Sequence, residues 1–367
     1  MARLMCSSCK SDYSIDEILW RCPCGGLLDL VECDTIEPEV LPTRPPTLWR
    51  YREALPLKFD RHIVSLGEGL TPLIPLSVNG LKVLCKMDQL FPSGSYKDRG
   101  ATLMISKVKE LDISHVVEDS SGNAGAAIAT YCAAAGIACD IYVPAKASQP
   151  KITQLYRLGA TVHKIPGDRE DTARAVLEAA EQSYYASHVW NPFFIAGCKT
   201  IAFEICEQLS WRVPDALVVP AGNGTLLLGA FWGFSELVKA GIIGRLPKLV
   251  AVQAENCSPC ATAYAQGLSQ PVAVDKKPTI AEGIAIGEPA RGEQMLAAVS
   301  QSGGTFVTVG EMEIQSWLSR LHHQGIYLEP TSAAVFAGIA KSAGLFSKDE
   351  LVTTVITGHG LKSTSYS

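Results

Sequence analysis

From about residue 80 onward, short apolar and β-branched runs alternate with segments of helical pattern, and this alternation constrains the fold most strongly. Apolar strands that alternate with helices are typical of parallel sheets covered on both faces. The predicted strands lie at residues 81–87, 115–120, 139–144, 161–166, 215–222, 248–255, 305–310 and 351–358. Helices are predicted between them, for example over residues 124–136 and 151–160. The sequence therefore predicts an α/β fold.

Length and composition indicate a well-buried protein and exclude several classes of partner. The chain has 367 residues, of which 47% are hydrophobic and 19% charged, so two compact lobes with small additions are expected. The net charge is −5 and basic residues form no cluster, so nucleic acid is not an expected partner. A membrane span would need about 18 consecutive apolar residues, and no such run exists. The start MARLMCSSCK does not resemble a signal peptide, so the twelve cysteines are expected to be reduced in the cytoplasm.

Four cysteines near the start of the chain form two close pairs. Cys6 and Cys9 are followed, after a short loop, by Cys22 and Cys24 with two glycines behind them. Four thiolates brought together from two turns suit tetrahedral Zn²⁺ and leave no open coordination position, so a structural zinc ribbon is predicted. The alternatives are four ordinary thiols, or a ribbon that no longer holds metal.

Residues 34–65 are rich in proline, at Pro38, Pro42, Pro45, Pro46 and Pro56. Proline fixes its own backbone and removes a hydrogen-bond donor, which disfavours helices and central strands. This segment is therefore predicted to be an extended connector that runs over the surface.

Lys97 lies in the stretch FPSGSYKDRG, behind a glycine, a serine and an aromatic ring. A lysine amine is a nucleophile only when it is deprotonated, and burial or neighbouring positive charge favours that state. Lys97 is therefore a candidate for Schiff-base chemistry with a carbonyl compound. The alternative is an ordinary solvated surface charge.

Three loops follow predicted strands, where ligands bind in sheets of this kind. The loop Asp119–Gly125 opens an alanine-rich helix, whose N-terminus favours an anion such as a carboxylate. The loop Pro220–Thr225 contains closely spaced glycines that allow backbone amides to converge on a phosphate. Thr357 closes the last strand and offers a hydroxyl to a ring nitrogen. Ordinary turns and a helix cap would explain each loop taken alone.

Five motifs in this order resemble the threonine synthase family, whose members are pyridoxal-phosphate enzymes of fold type II. The motifs are GEGLTPL, FPSGSYKDRG, SSGNAG, PAGNG and TGHGLK. The resemblance spans nearly the whole chain and includes the N-terminal cysteine ribbon that some members carry. It implies pyridoxal 5′-phosphate as the cofactor and two doubly wound lobes of parallel sheet.

The resemblance also implies roles for individual residues. Lys97 carries the cofactor as a Schiff base and later moves protons, and Asn123 hydrogen-bonds the cofactor's 3′-oxygen. The residues that hold the phosphate are Gly222, Asn223, Gly224 and Thr225. The residues that meet the substrate carboxylate are Ser120, Ser121 and Gly122. Thr357 faces the pyridine nitrogen, and such a neutral partner favours elimination and replacement over transamination.

The sequence departs from the family pattern where a substrate phosphate should bind. The family pattern is close to SVNPxRxEGQKT, whereas residues 189–200 read VWNPFFIAGCKT. Phe194 therefore stands in place of an arginine, Val189 in place of a serine, and Ala124 replaces a threonine. Each change removes a hydrogen-bond donor. Glu282 lies in a segment that is more similar to a dehydratase loop, and is a candidate contact for a substrate hydroxyl or amine.

The predicted function is a threonine synthase-like lyase or synthase. It would eliminate or replace a group at Cβ or Cγ of an amino acid other than O-phosphohomoserine, which is a small-molecule substrate. Alternatives are a genuine threonine synthase that uses O-phosphohomoserine and water, a threonine or serine dehydratase-like deaminase, and an inactive cofactor-binding or regulatory protein. The predicted domains are a ribbon at 1–33, a cofactor-binding domain at 34–85 plus 190–367, and a substrate-side domain at 86–189. A homodimer is expected by analogy with relatives.

Overall fold

The computed structural model of the chain describes residues 2–147, 149–167 and 169–362. The strands are β1 (Arg3–Cys6), β2 (Asp12–Ser14), β3 (Leu28–Val31), β4 (Leu73–Val78), β5 (Leu81–Lys86), β6 (His115–Glu118), β7 (Ala138–Pro144), β8 (Thr161–Ile165), β9 (Tyr184–Tyr185), β10 (Ala216–Pro220), β11 (Lys248–Ala254), β12 (Thr305–Val309) and β13 (Val352–Val355). The α-helices are α1 (Asp98–Glu110), α2 (Asn123–Ala135), α3 (Gln149–Arg157), α4 (Arg169–Ala179), α5 (Pro192–Cys198), α6 (Thr200–Gln208), α7 (Thr225–Lys239), α8 (Pro259–Ala265), α9 (Gly292–Gln301), α10 (Glu311–His323) and α11 (Pro330–Lys341). All eight predicted strands and both predicted helices are present.

The chain divides into two compact units. The first contains the chain up to Leu70 together with Phe91–Cys198, and the second contains Thr71–Leu90 and the chain from Lys199 onward. Residues 34–70 thus lie in the first unit. The predicted domains were defined by their roles in cofactor and substrate binding, and they stay a prediction.

The first unit contains a parallel sheet in the order β8-β7-β6-β9 and a small antiparallel sheet in the order β2-β1-β3. Its apolar cluster joins residues of the parallel sheet and of α1, α2 and α5 to residues of the small sheet. Helix α2 forms because alanine has the highest helix propensity. It ends at Gly136, whose φ of 69° and ψ of 28° lie in the left-handed region that favours glycine.

The second unit contains one sheet in the order β12-β11-β10-β13-β5-β4, in which only the edge strand β4 runs antiparallel to its neighbour. Every residue of β10 and β13 is buried, as expected for central strands covered on both faces. The predicted α/β fold with parallel sheets is confirmed. In the described part of the chain, no helix has both the length and the apolar character that crossing a membrane requires.

The proline-rich segment is not the surface connector that was predicted. It forms short 3₁₀ helices at Pro38–Thr43, Leu48–Ala54 and Asp60–His62. Leu48 is fully buried in an apolar cluster that includes Leu103 of α1. The prediction was wrong because it weighed the prolines and overlooked the large apolar residues between them, which stabilise the segment by burial.

Candidate active site

Lys97 caps the N-terminus of α1 and is half-buried. Its Nζ atom lies 4.7 Å from the centre of the Tyr96 ring and 5.7 Å from the centre of the Phe194 ring. Aromatic faces attract an ammonium group and also limit its contact with water. The amine therefore lies beside two aromatic rings of the first unit.

The turn before Lys97 is held by the buried carboxylate of Asp98. Asp98 accepts hydrogen bonds from the backbone N–H of Ser93 at 2.8 Å, from the Ser93 hydroxyl, and from the Tyr131 hydroxyl at 3.5 Å. Burial raises the pKa of Tyr131, and the carboxylates of Asp98 and Glu68 raise it further, so Tyr131 remains a donor. Sequence reasoning missed Tyr131, which lies inside a helix with no motif to mark it.

Two buried polar atoms near this turn have no hydrogen-bond partner among the residues that the structure describes. They are the hydroxyl of Ser95, two residues before Lys97, and the Oε1 atom of Glu68. Both residues are at most 1% exposed. Buried polar groups are nearly always hydrogen-bonded in native proteins. These atoms therefore fit a site that is completed by a polar ligand.

The loop Ser120–Gly122 connects β6 to α2, and its three residues are half-buried. A Cβ atom on Gly125, in the first turn of α2, would lie 1.8 Å from the carbonyl oxygen of Ser120. Only glycine allows the loop to fold back this closely onto the helix. Asn123 is the first helical residue, so the loop presents backbone N–H groups at a helix N-terminus, where anions bind favourably.

The three departures from the family pattern are buried apolar residues of the first unit, namely Phe194, Val189 and Ala124. Phe194 on α5 is fully buried, and a Cβ atom on Gly100 would lie 2.4 Å from its Cδ1 atom. The ring thus packs directly against the backbone of α1, one turn from Lys97. No phosphate-binding donor is offered by the side chains at these three positions.

The second unit contains the glycine-rich loop that follows β10. Gly224 caps the N-terminus of α7 with a φ of 83°, which is in the left-handed region. A Cβ atom on Gly224 would lie 2.5 Å from the Sδ atom of Met295, and one on Gly222 would lie 2.6 Å from the carbonyl oxygen of Gly283. The loop, completed by the half-buried Asn223 and the buried Thr225, fits a phosphate group.

Glu282 lies beside this loop, in the 3₁₀ helix Glu282–Ile284, and its side chain is exposed. The backbone of the segment, rather than that carboxylate, packs against Gly222. The N–H of Gly283 donates a 3.2 Å hydrogen bond to the hydroxyl of Thr331. The backbone of the segment therefore packs closely against the glycine-rich loop.

Thr357 follows β13 and is buried in a polar network. Its hydroxyl donates to Glu329 Oε1 at 3.0 Å and lies 2.8 Å from the hydroxyl of Ser332. The Ser332 oxygen also accepts the backbone N–H of Thr357 at 2.9 Å. The sequence Glu329–Ser332 resembles a turn near the cofactor ring in the family, but neither residue is among the predicted site residues. Both lie at the start of α11.

The four ribbon cysteines meet in space. The Sγ atoms of Cys6, Cys9, Cys22 and Cys24 all lie within 4.8 Å of one another. Zn–S bonds of about 2.3 Å in a tetrahedron place sulfurs about 3.8 Å apart. The Cys6–Cys24 and Cys9–Cys22 pairs are separated by 3.5 and 3.6 Å. The backbone N–H groups of Ser8 and Cys9 also point at the Cys6 sulfur, both at 3.4 Å. The cluster therefore fits a structural zinc ion.

Known proteins are similar to this chain in sequence. The family described as pyridoxal-phosphate dependent enzyme matches residues 64–358. Threonine synthase of Methanocaldococcus jannaschii is 37% identical in an alignment that covers 97% of this chain and 92% of that protein. Threonine synthase of Methanosarcina acetivorans is 36% identical and covers 99% of this chain and 92% of its own length.

Solved structures agree on the fold. Maize serine racemase matches with a TM-score of 0.69 and 20% identity, over 81% of this chain and 89% of its own. The processed form of threonine deaminase isoform 2 from Solanum lycopersicum matches with a TM-score of 0.70 and 22% identity, over 81% and 80%. The predicted fold type II architecture is confirmed.

Proposed function

This chain belongs to the threonine synthase family of pyridoxal-phosphate dependent enzymes, and we propose that it eliminates or replaces a group at Cβ or Cγ of an amino acid other than O-phosphohomoserine. The observation that carries the proposal is the full burial of Phe194, where the family pattern has an arginine. An arginine–phosphate hydrogen bond contributes about 1.5–3 kcal/mol. With Val189 and Ala124 also apolar, a phosphate dianion would lie unsolvated against these residues.

Residues within each unit, taken separately, fit one part of the cofactor. Ser95 has an unsatisfied buried hydroxyl near Lys97, and the backbone around Gly222 and Gly224 leaves no room for a Cβ atom. In this proposal Lys97 binds the cofactor aldehyde, and the loop from Gly222 to Thr225 binds its phosphate. When bound, pyridoxal phosphate withdraws electrons from the substrate and acidifies the proton on its α-carbon.

The protein's own residues then position the substrate and move that proton. Backbone N–H groups of the loop Ser120–Gly122 bind the substrate carboxylate at the N-terminus of α2. The Nζ atom of Lys97 accepts the α-proton and returns it later. Asn123 and Thr357 orient the cofactor ring through their side-chain polar atoms. Glu282 is exposed beside the glycine-rich loop and contacts a substrate hydroxyl or amine.

The covalent attachment is tested by borohydride reduction and mass spectrometry of the purified protein after addition of pyridoxal phosphate. Reduction is expected to add one ring to Lys97 and to remove the absorbance of the bound cofactor. Lys97→Ala abolishes the adduct, whereas the control Lys109→Ala, an exposed lysine on the same helix, keeps it. An adduct that persists in Lys97→Ala contradicts the assignment.

The substrate is tested by comparing O-phosphohomoserine with a panel of amino acids that carry uncharged leaving groups. Because the charged phosphate contact is missing, the kcat/KM for O-phosphohomoserine is expected to lie below that of the best uncharged substrate. Phosphate release, keto-acid formation and threonine formation are measured in parallel. If O-phosphohomoserine is the best substrate, the proposal about Phe194 fails.

A second candidate is a genuine threonine synthase that uses O-phosphohomoserine and water. The 37% and 36% identity to proteins with that name favours it. The same assay separates the two candidates, because only the second forms phosphate and threonine in equal amounts. A protein that carries the adduct on Lys97 but converts no amino acid would be an inactive member. The expected homodimer stays a prediction.

A further inference from the structure

Trp20 of the ribbon contacts two segments that lead to the proposed substrate site. It lies between β2 and β3, two residues before Cys22. Its ring meets the ring of Tyr185 edge-on, with centres 5.0 Å apart and planes at 77°. It meets Trp190 in the same way at 6.2 Å and 90°. Such aromatic pairs stabilise a packing arrangement beyond the burial of their area.

Tyr185 connects Trp20 to the loop that follows β6. Its hydroxyl donates a 2.7 Å hydrogen bond to Asp119 Oδ1, and both residues are buried. Burial, with the carboxylates of Asp119 and Glu118, keeps the pKa of Tyr185 well above its usual value, so the hydroxyl remains a donor. Asp119 immediately precedes Ser120, so the hydrogen bond fixes the start of the loop.

Trp190 connects Trp20 to the segment that carries Phe194. The N–H of Trp190 donates to the hydroxyl of Ser187 at 3.3 Å. The next residue, Asn191, is fully buried and donates from its side chain to the hydroxyl of Tyr184 at 2.7 Å. This segment leads directly into α5, which carries Phe194.

We propose that Trp20 is a positioning residue, through which the ribbon fixes the loop Asp119–Gly122 and the segment from Trp190 to Phe194 for substrate binding. The inference rests on the proposed function, in which this loop binds the substrate carboxylate. It assigns the ribbon a part in the shape of the site. The ribbon is therefore more than a separate metal-binding appendage.

Trp20 is half-buried and lines an open cleft, so its removal enlarges that cleft and leaves no enclosed cavity. Arg21 lies over the ring, with its guanidinium carbon 4.5 Å from the ring centre. The cleft has a volume of about 870 Å³ and is lined by residues 18–25 and by α4. A side chain with one face toward an open cleft is removed at lower cost than one in a closed core. A folded Trp20→Ala protein is therefore expected.

The test is hydrogen–deuterium exchange of the cofactor-loaded protein, followed in peptides that cover residues 118–126. Loss of the aromatic contact in Trp20→Ala is expected to raise exchange there about 2- to 10-fold. Trp20→Phe keeps a ring edge against Tyr185 and is expected to restore most of the protection. The matched control is Ile18→Ala, which removes a side chain that is 61% exposed and lines the same cleft.

Unchanged exchange in Trp20→Ala, or an equal rise in Ile18→Ala, would overturn the proposal. Should Trp20→Ala not fold, Tyr185→Phe removes only the hydroxyl that binds Asp119, and it is expected to raise exchange in the same peptides. Unchanged exchange in a folded Tyr185→Phe protein also overturns it. Exchange is measured without substrate, so failure of the proposed reaction and failure of this coupling give different results.

Discussion

The polar network around Thr357 gives a prediction whose size follows from the structure. Thr357 is 1% exposed, and its hydroxyl donates to the Glu329 carboxylate at 3.0 Å. A hydrogen bond to a charged group contributes about 1.5–3 kcal/mol. Thr357→Val keeps the volume of the side chain and removes this donor, so it is expected to lower the free energy of unfolding by about 2–3 kcal/mol. Thr357→Ser keeps the hydroxyl and loses one methyl group, which costs about 1 kcal/mol.

The assay is urea unfolding of the cofactor-free protein, because bound cofactor would add its own stabilisation by mass action. Circular dichroism follows the loss of helix, and both variants are compared with the unchanged protein at the same pH. The comparison isolates the hydroxyl, since both variants alter the same buried position. If Thr357→Ser destabilises as much as Thr357→Val, the hydroxyl contributes nothing and the reasoning is refuted.

Three further predictions concern other parts of the molecule. Gly224→Ala is expected to weaken binding of pyridoxal phosphate on the order of tenfold in an absorbance titration, while Gly241→Ala, also at positive φ but facing open space, leaves it unchanged; equal affinities would contradict the steric argument. Cys24→Ser is expected to reduce the zinc content measured by atomic emission, and full retention of metal would remove Cys24 from the ligand set. Lys86→Met removes the ammonium group that lies 2.7 Å from the carboxylate of the fully buried Glu204. It is expected to cost about 3–5 kcal/mol in urea unfolding. Adding Glu204→Leu is expected to recover most of that loss, and a double variant no more stable than the single one would be inconsistent with a charge effect.

The fold was predictable because its central strands carry a local signal. Strands such as β10 and β13 are buried on both faces, so they are apolar throughout and stand out from the helices between them. Strand β4, which lies at the edge of the sheet and pairs with β5, has a mixed pattern of buried and exposed residues. Strand β9 is only two residues long. Such short or half-exposed strands leave little trace in a sequence, and both escaped prediction.

The loops of the candidate site were also predictable, since each follows a strand and is rich in glycine or short polar residues. The supporting residues were not. Ser332 and Tyr131 lie within helices, and only the fold brings them to Thr357 and Asp98. The proline-rich segment failed for a related reason. Prolines report local backbone limits, whereas the burial of Leu48 depends on contacts with residues far away in the sequence.

The cysteine ribbon shares one apolar cluster with the helix that follows Lys97. Leu4, Cys6 and Leu28 belong to the same cluster as Ala101 and Met104. A truncated protein that begins after the ribbon would expose the apolar face of that helix to water. Such a protein is expected to aggregate. Loss of the ribbon during evolution, or its transfer to another enzyme, would therefore require polar substitutions on the newly exposed face of the helix.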